Sequence, residues 1–169
     1  MRCLFTSDTH FGHSNIIKYC ERPFADRGEM NDKMIANWNA VVGHEDTVFH
    51  LGDFAFGSAE YAKDIRSRLN GSIILIKGNH DRKTHALEQT GVEVCGERFI
   101  EIGGVNLYLR HKPNFELSTW PHETKWHFHG HTHGRYGRRH NEWMIDVGVD
   151  CWGFTPRTLD EILAAPAQA

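Results

Sequence analysis

Polar side chains that can bind a ligand or a cation follow several apolar runs in this sequence. Gly78, Asn79, His80 and Asp81 come directly after the apolar run 73–76. A glycine beside an amide, an imidazole and a carboxylate is more typical of an active-site loop than of a plain turn. We therefore expect this loop at the edge of a sheet, where open α/β folds bind their ligands.

Four other short stretches carry the same kinds of side chain. They contain Asp8 and His10, Asp53 after Gly52, His111, and His131 and His133 after Gly130. With Asn79 they offer carboxylate, amide and imidazole donors without thiolate, a set that suits Mn, Fe, Zn or Ni rather than a structural zinc site. Seven protein donors are too many for one such ion. The set therefore predicts two ions that share a bridging carboxylate.

Two neighbouring divalent ions have a well-defined chemistry. Held about 3.5–4 Å apart, they stabilise the attacking and leaving oxygens of an in-line displacement and lower the pKa of a bound water. This predicts hydrolysis of a phosphoester by metal-bound hydroxide. His80 need not be a ligand because its neighbour Asn79 fills that role, so its imidazole is available to bind a phosphoryl oxygen or to protonate the leaving alkoxide.

Alternating strands and helices are predicted to position these residues in the first half of the chain. Residues 2–7, 47–51 and 72–77 have the pattern of buried strands, whereas residues 29–42 and the segment after Ser58 have helical spacing. The Met and Trp stripe of the first helix predicts core packing. Such alternation favours a largely parallel sheet, whose strand ends bring Asp8, Asp53 and Asn79 to one edge.

The second half has a different pattern. Gly103-Gly104 separates two short strands, 99–102 and 105–109, which predicts a hairpin and an antiparallel second half. Further strands are predicted near 126–129 and 143–147, and a closing helix over 158–163. Residues 164–169 have the composition of a flexible tail.

Composition narrows the class of protein. A length of 169 residues predicts a single domain over 1–169, and a net charge of −3 without a basic block gives no strong nucleic-acid-binding patch and no membrane-binding patch. The sequence has no apolar run of transmembrane length and no signal peptide, so we expect a cytoplasmic protein. The four cysteines form no CxxC pair, which favours reduced thiols. Thirteen histidines favour metal binding.

The ordered motifs resemble those of the calcineurin-like metallophosphoesterases. They are Asp8-x-His10, Gly52-Asp53, Gly78-Asn79-His80-Asp81, His111 with Pro113, and Gly130-His131-x-His133. The opening run from Asp8 to His13, with Asn15-Ile16-Ile17, is similar to the small single-domain bacterial and phage members.

The resemblance implies a fold and a division of roles. The implied fold is an α/β sandwich of the αββα type, with two mixed β-sheets flanked by helices. Its implied ligands are Asp8, His10 and His133 for one ion, Asn79, His111 and His131 for the other, and Asp53 as the bridge. His80 would be the acid that faces the substrate.

The activity that we favour is hydrolysis of phosphodiesters with two divalent ions. Mn²⁺ is the favoured metal, and Fe, Zn or Ni are the alternatives. Gly52-Asp53 continues as Phe-Ala-Phe-Gly rather than the Asp-Arg-Gly of the protein phosphatases of this superfamily, which argues against a protein phosphatase. An acid such as His80 helps most when the leaving group is poor, as in an alkyl or nucleoside diester. The expected substrate is a phosphoester, such as a nucleotide or another small phosphodiester. A phosphomonoesterase remains the alternative, and a metal-binding scaffold without turnover is the third possibility.

Several further residues allow two interpretations each. His13 could contact substrate, or it could cap or pack against a helix. Arg135 could pair with a phosphate of the substrate, but a solvated surface position is favoured for it. Asp81 could orient His80 or a backbone turn. Phe54 and Phe56 could stack on a nucleobase or pack in the core. The remaining candidates for support behind the ligands are Asp146, Asp150, His127 and His129.

Overall fold

The computed structural model describes residues 1–82 and 84–166. Its strands are β1 (Cys3–Thr6), β2 (Thr47–His50), β3 (Ser72–Ile76), β4 (Glu93–Cys95), β5 (Glu97–Ile102), β6 (Val105–Arg110), β7 (Trp126–His129), β8 (Met144–Asp146) and β9 (Arg157–Thr158). Its helices are α1 (Ser14–Tyr19), α2 (Arg27–Val41), α3 (Ala59–Ser67), α4 (Thr84–Glu88) and α5 (Leu159–Ala164). Short 3₁₀ turns cover Leu117–Thr119 and Val149–Cys151.

The strands form one sheet of five and one of four. In the first sheet β4, β3, β2 and β1 are parallel neighbours, and β9 pairs antiparallel with β1. In the second sheet β5 and β6 are antiparallel, whereas β6, β7 and β8 are parallel. Both sheets are therefore mixed, and the predicted sandwich of two mixed sheets with flanking helices is confirmed.

The central strands of the first sheet are buried on both faces because their side chains alternate between two cores. Leu4 and Val48 pack with the helices, in a cluster that includes Met30, Met34 and Trp38 of α2. Phe5 and Phe49 lie in the second cluster, which also contains apolar residues of the second sheet. The second core therefore joins the two sheets. Period-two alternation in an unbroken apolar run explains how one strand contributes to both cores.

Helix α2 confirms the predicted core stripe. Its side chains Met30, Met34 and Trp38 are at most 2% exposed. The helix begins at Arg27 because the Asp26 carboxylate accepts a hydrogen bond from the backbone N–H of Glu29, as an N-cap should.

The expectation of an antiparallel second half is wrong beyond the first hairpin. The Gly103-Gly104 turn joins β5 to β6 as predicted, with a positive φ at both glycines. The segment from His111 to Lys125 is long enough to cross over, so β7 enters parallel to β6. Because β6 and β7 run the same way, the residues that follow them, His111 and His131, lie at one edge.

The two chain ends close on the first sheet. Strand β9, which the sequence pattern did not indicate, pairs with β1 and leads into α5, whose N-cap Thr158 forms a reciprocal capping box with Glu161. Ala164 belongs to this helix rather than to the predicted tail, and residues 167–169 lie outside the described residues. None of the helices in the described ranges has both the length and the apolar character needed to span a membrane.

Candidate metal centre

Three loops of the first sheet meet beyond the ends of β1, β2 and β3. The in-register parallel pairing aligns Thr6 with His50, and His50 with Leu75, so the chain leaves all three strands at one edge. Backbone hydrogen bonds join the first two loops, from Asp8 N–H to the Gly52 carbonyl and from His10 N–H to the Asp53 carbonyl, both 2.9 Å. The predicted convergence of these loops is therefore present in the fold.

A first group of donors consists of Asp8, His10 and His133. One ligand atom of each lies within 4.8 Å of the other two. The Asp8 Oδ1 atom is 4.0 Å from His10 Nε2 and 3.8 Å from His133 Nε2. These three side chains lie close enough to share one cation.

A second group consists of Asp53, His111 and His131, whose ligand atoms also lie within 4.8 Å of one another. Asn79 joins this group, because its side-chain oxygen is 3.0 Å from His111 Nε2. The rings of His111 and His131 have centroids 5.1 Å apart. The amide and the two imidazoles thus surround the same space as the Asp53 carboxylate.

Asp53 connects the two groups. Its Oδ2 atom is 3.5 Å from His10 Nε2 on one side and 3.4 Å from His111 Nε2 on the other. Its Oδ1 atom accepts a hydrogen bond from the His80 backbone N–H at 2.8 Å. One carboxylate oxygen therefore lies between the two donor groups, where a bridging ligand would be.

Buried polar atoms without partners test whether this arrangement fits a cation. Asp8 and His10 are 0% and 3% exposed, and neither Asp8 Oδ1 nor His10 Nε2 has a hydrogen-bond partner. Unpaired buried polar atoms are costly and rare in folded proteins. Both atoms point into the first donor group, so the residues present fit a bound cation there.

Burial also sets the protonation of these side chains. It raises the pKa of the Asp8 carboxyl to about 6 and lowers the pKa of the His10 imidazole to about 2. Burial acts to raise the pKa of Asp53, but hydrogen bonding and charge from His111 outweigh it and hold that pKa well below its usual range. At neutral pH Asp8 and Asp53 are therefore carboxylates and His10 is a neutral imidazole, which are ligand forms. Burial acts to lower the pKa of His133, but its hydrogen bond to Asp150 outweighs this and raises the pKa to about 11, so a cation would displace a proton there.

The outer ring nitrogens of two histidines are held by other groups. His111 Nδ1 lies 2.7 Å from the Leu51 carbonyl, and His133 Nδ1 lies 2.8 Å from Asp150 Oδ2. In each ring the Nδ1–H donates, which leaves Nε2 facing the other donors. Such contacts fix the tautomer and the orientation of a metal-binding imidazole.

Five of the seven donor residues have a backbone conformation that non-glycine residues rarely adopt. Asp8, His10, Asp53, His131 and His133 have φ between 49° and 69°. The left-handed region costs about 1–2 kcal/mol for each such residue. Contacts from other residues of the folded protein must therefore compensate for this cost and hold the loops in place.

A glycine makes the close approach of two loops possible. A Cβ atom on Gly78 would lie 2.5 Å from the backbone nitrogen of Asp53. No side chain fits at that distance, which explains why the Asn79 loop begins with glycine.

Asp81 provides one of the contacts that hold the loops. Its carboxylate is 5% exposed and accepts three backbone N–H groups, from Asp53 at 2.7 Å, Phe54 at 2.9 Å and Gly78 at 2.8 Å. Of the two roles considered for Asp81, the backbone contacts favour the orientation of a turn. It ties the loop after β3 to the loop after β2.

Arg22 provides a second contact and was missed in the sequence. Its buried guanidinium donates to the Asp8 and Thr9 carbonyls, at 2.7 and 3.0 Å, and to both oxygens of Asp150. Asp150 in turn accepts from His133. Arg22 thus connects the loop after β1 with His133, and nothing local in the sequence around Arg22 indicates this role.

Asp146 holds the loop that contains His131 and His133. Its Oδ2 atom accepts from the Thr132 hydroxyl at 2.5 Å and from the Gly134 N–H at 3.0 Å. It is the last residue of β8, and these contacts favour the supporting role considered for Asp146 in the sequence.

His127 and His129 do not extend the donor groups. His127 contacts the Tyr108 carbonyl and the Asn114 N–H, and His129 Nδ1 contacts the Gly130 carbonyl. His129 forms a separate cluster with His140 and Asp146, of which His140 is partly exposed. These residues lie behind the His131 loop.

The expected substrate-facing residues line one cleft of about 830 Å³. The ring of His80 is exposed and its centroid lies 5.5 Å from that of His10. His13 and Arg135 also line this cleft, and His13 stacks on Phe56 with ring centroids 4.5 Å apart. Phe54 is 1% exposed and belongs to the core, whereas Phe56 is 49% exposed. The two phenylalanines therefore differ in role.

Comparison with known proteins gives one family and several relatives. A family model described as the calcineurin-like phosphoesterase superfamily domain matches residues 1–158. The chain is 37% identical over 166 residues to an uncharacterized protein, MJ1445, of Methanocaldococcus jannaschii, and the match covers 93% of this chain and 86% of that protein.

Two solved structures share the fold. AQ665 from Aquifex aeolicus, a protein of unknown function, has a TM-score of 0.75 at 27% identity, covering 95% of this chain and 96% of that one. A nuclease, MPE, from Pseudomonas putida has a TM-score of 0.50 at 27% identity, covering 78% of this chain and 62% of that one. The family match spans every donor residue described above.

Proposed function

Since the chain belongs to the calcineurin-like phosphoesterase superfamily, we propose that it is a phosphodiesterase that works with two divalent metal ions. Mn²⁺ is the metal that we favour. The position of Asp53 Oδ2 between the two donor groups is the observation that carries this proposal. Members of this superfamily hydrolyse phosphoesters with divalent metals. A centre in which one carboxylate oxygen can contact two ions fits that chemistry.

The ligand roles follow the two donor groups. Asp8, His10 and His133 would hold one ion, and Asn79, His111 and His131 the other. Asp53 would contact both. When bound, two such ions supply positive charge to the phosphoryl oxygens and lower the pKa of a bound water toward neutrality.

His80 has the remaining chemical role in this proposal. Its backbone N–H is held by Asp53 Oδ1, while its ring is exposed in the cleft near His10. The ring can therefore approach a phosphoester oxygen without being a ligand. We assign it the transfer of a proton to the leaving oxygen, an effect typically worth about 10²- to 10⁴-fold in rate.

Two observations support a diester as the substrate. The cleft of about 830 Å³ has room for substituents beyond a phosphoryl group. The MPE protein, 27% identical to this chain, is a nuclease by name, and nucleases cleave phosphodiesters. An acid at His80 is most useful for the poor leaving groups that alkyl and nucleoside diesters have.

Hydrolysis of chromogenic esters tests the proposal. Protein stripped with a chelator is assayed with bis-p-nitrophenyl phosphate and p-nitrophenyl phosphate, before and after addition of Mn²⁺, and bound metal is counted by elemental analysis. We expect activity only with metal, two ions per chain, and a kcat/KM at least about tenfold higher for the diester, or about 1.4 kcal/mol in the barrier. If neither ester is hydrolysed in a metal-dependent way, the proposal of an enzyme is refuted. If the monoester is preferred, the proposal of a phosphodiesterase is refuted.

A further inference from the structure

A second cavity lies next to His80, beside the main cleft. We call it the side pocket; its volume is about 450 Å³, and it is lined by residues 55–58, 62, 80–82, 84 and 87. His80 lines both the side pocket and the main cleft. The volume is within the range that small-molecule sites have.

His80 connects the side pocket with the donor groups, because its ring lies near residues of both. The centroid of the His80 ring is 5.5 Å from that of His10 and 6.5 Å from that of Phe56. His10 belongs to the donor groups, whereas Phe56 belongs to the wall of the side pocket. A group that leaves from phosphorus next to His80 can therefore reach the side pocket and Phe56.

Phe56 has the properties of a stacking surface. It is 49% exposed, but its ring is fixed, because it stacks on His13 with centroids 4.5 Å apart and an angle of 24° between the planes. Its backbone N–H donates to the Phe11 carbonyl at 2.8 Å. A half-exposed ring held in one orientation can stack on a planar group with little loss of entropy.

The neighbouring wall combines apolar and positive surface. Ala55, Ala62 and Leu87 supply apolar contact, and the exposed Arg82 adds a positive charge. An aromatic surface beside a cation is the combination that binds bases of single-stranded nucleic acids and nucleotides.

We propose that the side pocket binds the leaving group of the substrate and that this leaving group is a nucleoside whose base stacks on Phe56. The inference rests on the proposed function and names the substrate class. In the reaction, a water oxygen forms a bond to phosphorus and the bond from phosphorus to the nucleoside oxygen breaks. That oxygen takes a proton from His80 and leaves as the alcohol, and the rest of the diester remains as a phosphate monoester. The attacking water gives up one proton to solvent, and His80 is reprotonated from solvent.

A substrate with two different alcohols tests this directly. Thymidine 5′-(methyl phosphate) can release thymidine and methyl phosphate, or methanol and thymidine monophosphate. The Mn²⁺-loaded protein should release thymidine in large excess, and Phe56→Ala should lower the ratio of thymidine to methanol about tenfold, because stacking of one base contributes that much or more. The ratio does not depend on the fraction of active protein.

The matched control is Phe99→Ala. Phe99 is 41% exposed on β5, and it lines neither cavity. This variant should keep the wild-type ratio within twofold. An unchanged ratio in Phe56→Ala, or predominant release of methanol by the wild type, overturns the side-pocket proposal while leaving a phosphodiesterase in place.

Binding of thymidine alone separates this proposal from the proposed function. Calorimetric titration of thymidine into each protein should give a dissociation constant about tenfold weaker for Phe56→Ala than for wild type and Phe99→Ala. If the protein hydrolyses no ester but shows this difference, the pocket is supported and the enzyme is not. Equal affinities, or no measurable binding to wild type, overturn the pocket.

Discussion

Asp81 allows a quantitative prediction, because its carboxylate holds three backbone N–H groups of the two central loops. Hydrogen bonds to a charged group contribute about 1.5–3 kcal/mol each, so the three together amount to roughly 4.5–9 kcal/mol. Burial of the carboxylate, which raises the pKa of Asp81, offsets part of this. We expect Asp81→Ala to lower the free energy of unfolding by about 3–5 kcal/mol, since it leaves three buried donors unpaired.

Asp81→Asn should have an intermediate effect. The amide keeps one oxygen acceptor, but its NH₂ group faces a backbone donor that the carboxylate oxygen accepted. Asp81→Ala removes the 2.7 Å contact of the Asp53 backbone, so we also expect weaker metal binding in that variant.

Urea unfolding followed by circular dichroism measures the stability, and titration with Mn²⁺ measures the metal affinity. The control is Asp32→Ala, which removes an exposed ion pair with Arg68 and should cost less than about 0.5 kcal/mol. An Asp81→Ala variant as stable as Asp32→Ala, with unchanged metal affinity, would refute the reasoning.

Four further predictions follow from the same contacts. Asp53→Asn should abolish metal-dependent hydrolysis and reduce the bound metal, because it removes charge between both donor groups. His80→Ala should keep its metal and lose about 10²- to 10⁴-fold in turnover, most for poor leaving groups. Arg22→Lys should cost about 3 kcal/mol in unfolding free energy, because an ammonium cannot reproduce the fork between Asp150 and the backbone. Asp46→Asn should be less stable than wild type at pH 7, and the difference should shrink as the pH falls below about 4.

The sign of the last effect follows from the pKa of Asp46. The hydrogen bond from the Arg2 guanidinium, with backbone N–H groups of Gly43 and Arg2, holds that pKa well below its usual range. The stabilisation is present above the unfolded pKa and is lost as the pH falls through the folded one. Urea midpoints across this pH range measure it, and a difference that stays constant would contradict the assignment.

Metal analysis checks Asp53→Asn, paired substrates check His80→Ala, and urea unfolding checks Arg22→Lys. Two tightly bound ions in Asp53→Asn would contradict the bridge. Equal losses of turnover on activated and unactivated esters would contradict an acid role for His80. An Arg22→Lys variant that unfolds within 1 kcal/mol of wild type would show that the fork geometry is unimportant.

Much of the first sheet was predictable because its strands are short apolar runs that end in a polar residue. Strands β1, β2 and β3, helix α2 and the joining of Asp8, Asp53 and Asn79 at one edge follow from such local patterns. The orientation of β7 was not predictable in this way. The direction in which a strand enters a sheet depends on the path of the connection, and the segment after His111 carries no turn signal that fixes this path.

The donor residues can be predicted from the sequence more readily than the residues that hold them in place. Asp8, Asp53 and His111 each follow a strand, so their position along the chain already suggests a role. Arg22 contacts Asp150 across 128 positions of sequence, and no periodicity or spacing connects the two. Only the folded chain brings them together.

This difference has a physical origin in the strained loops. Five donor residues lie in the left-handed region, at a cost of about 1–2 kcal/mol each, so local preferences oppose the arrangement that the centre needs. The opposing contacts must therefore come from distant parts of the chain, as they do from Asp81, Arg22 and Asp146. If this balance is correct, substitution of any one of these three should weaken metal binding even though none of them belongs to either donor group.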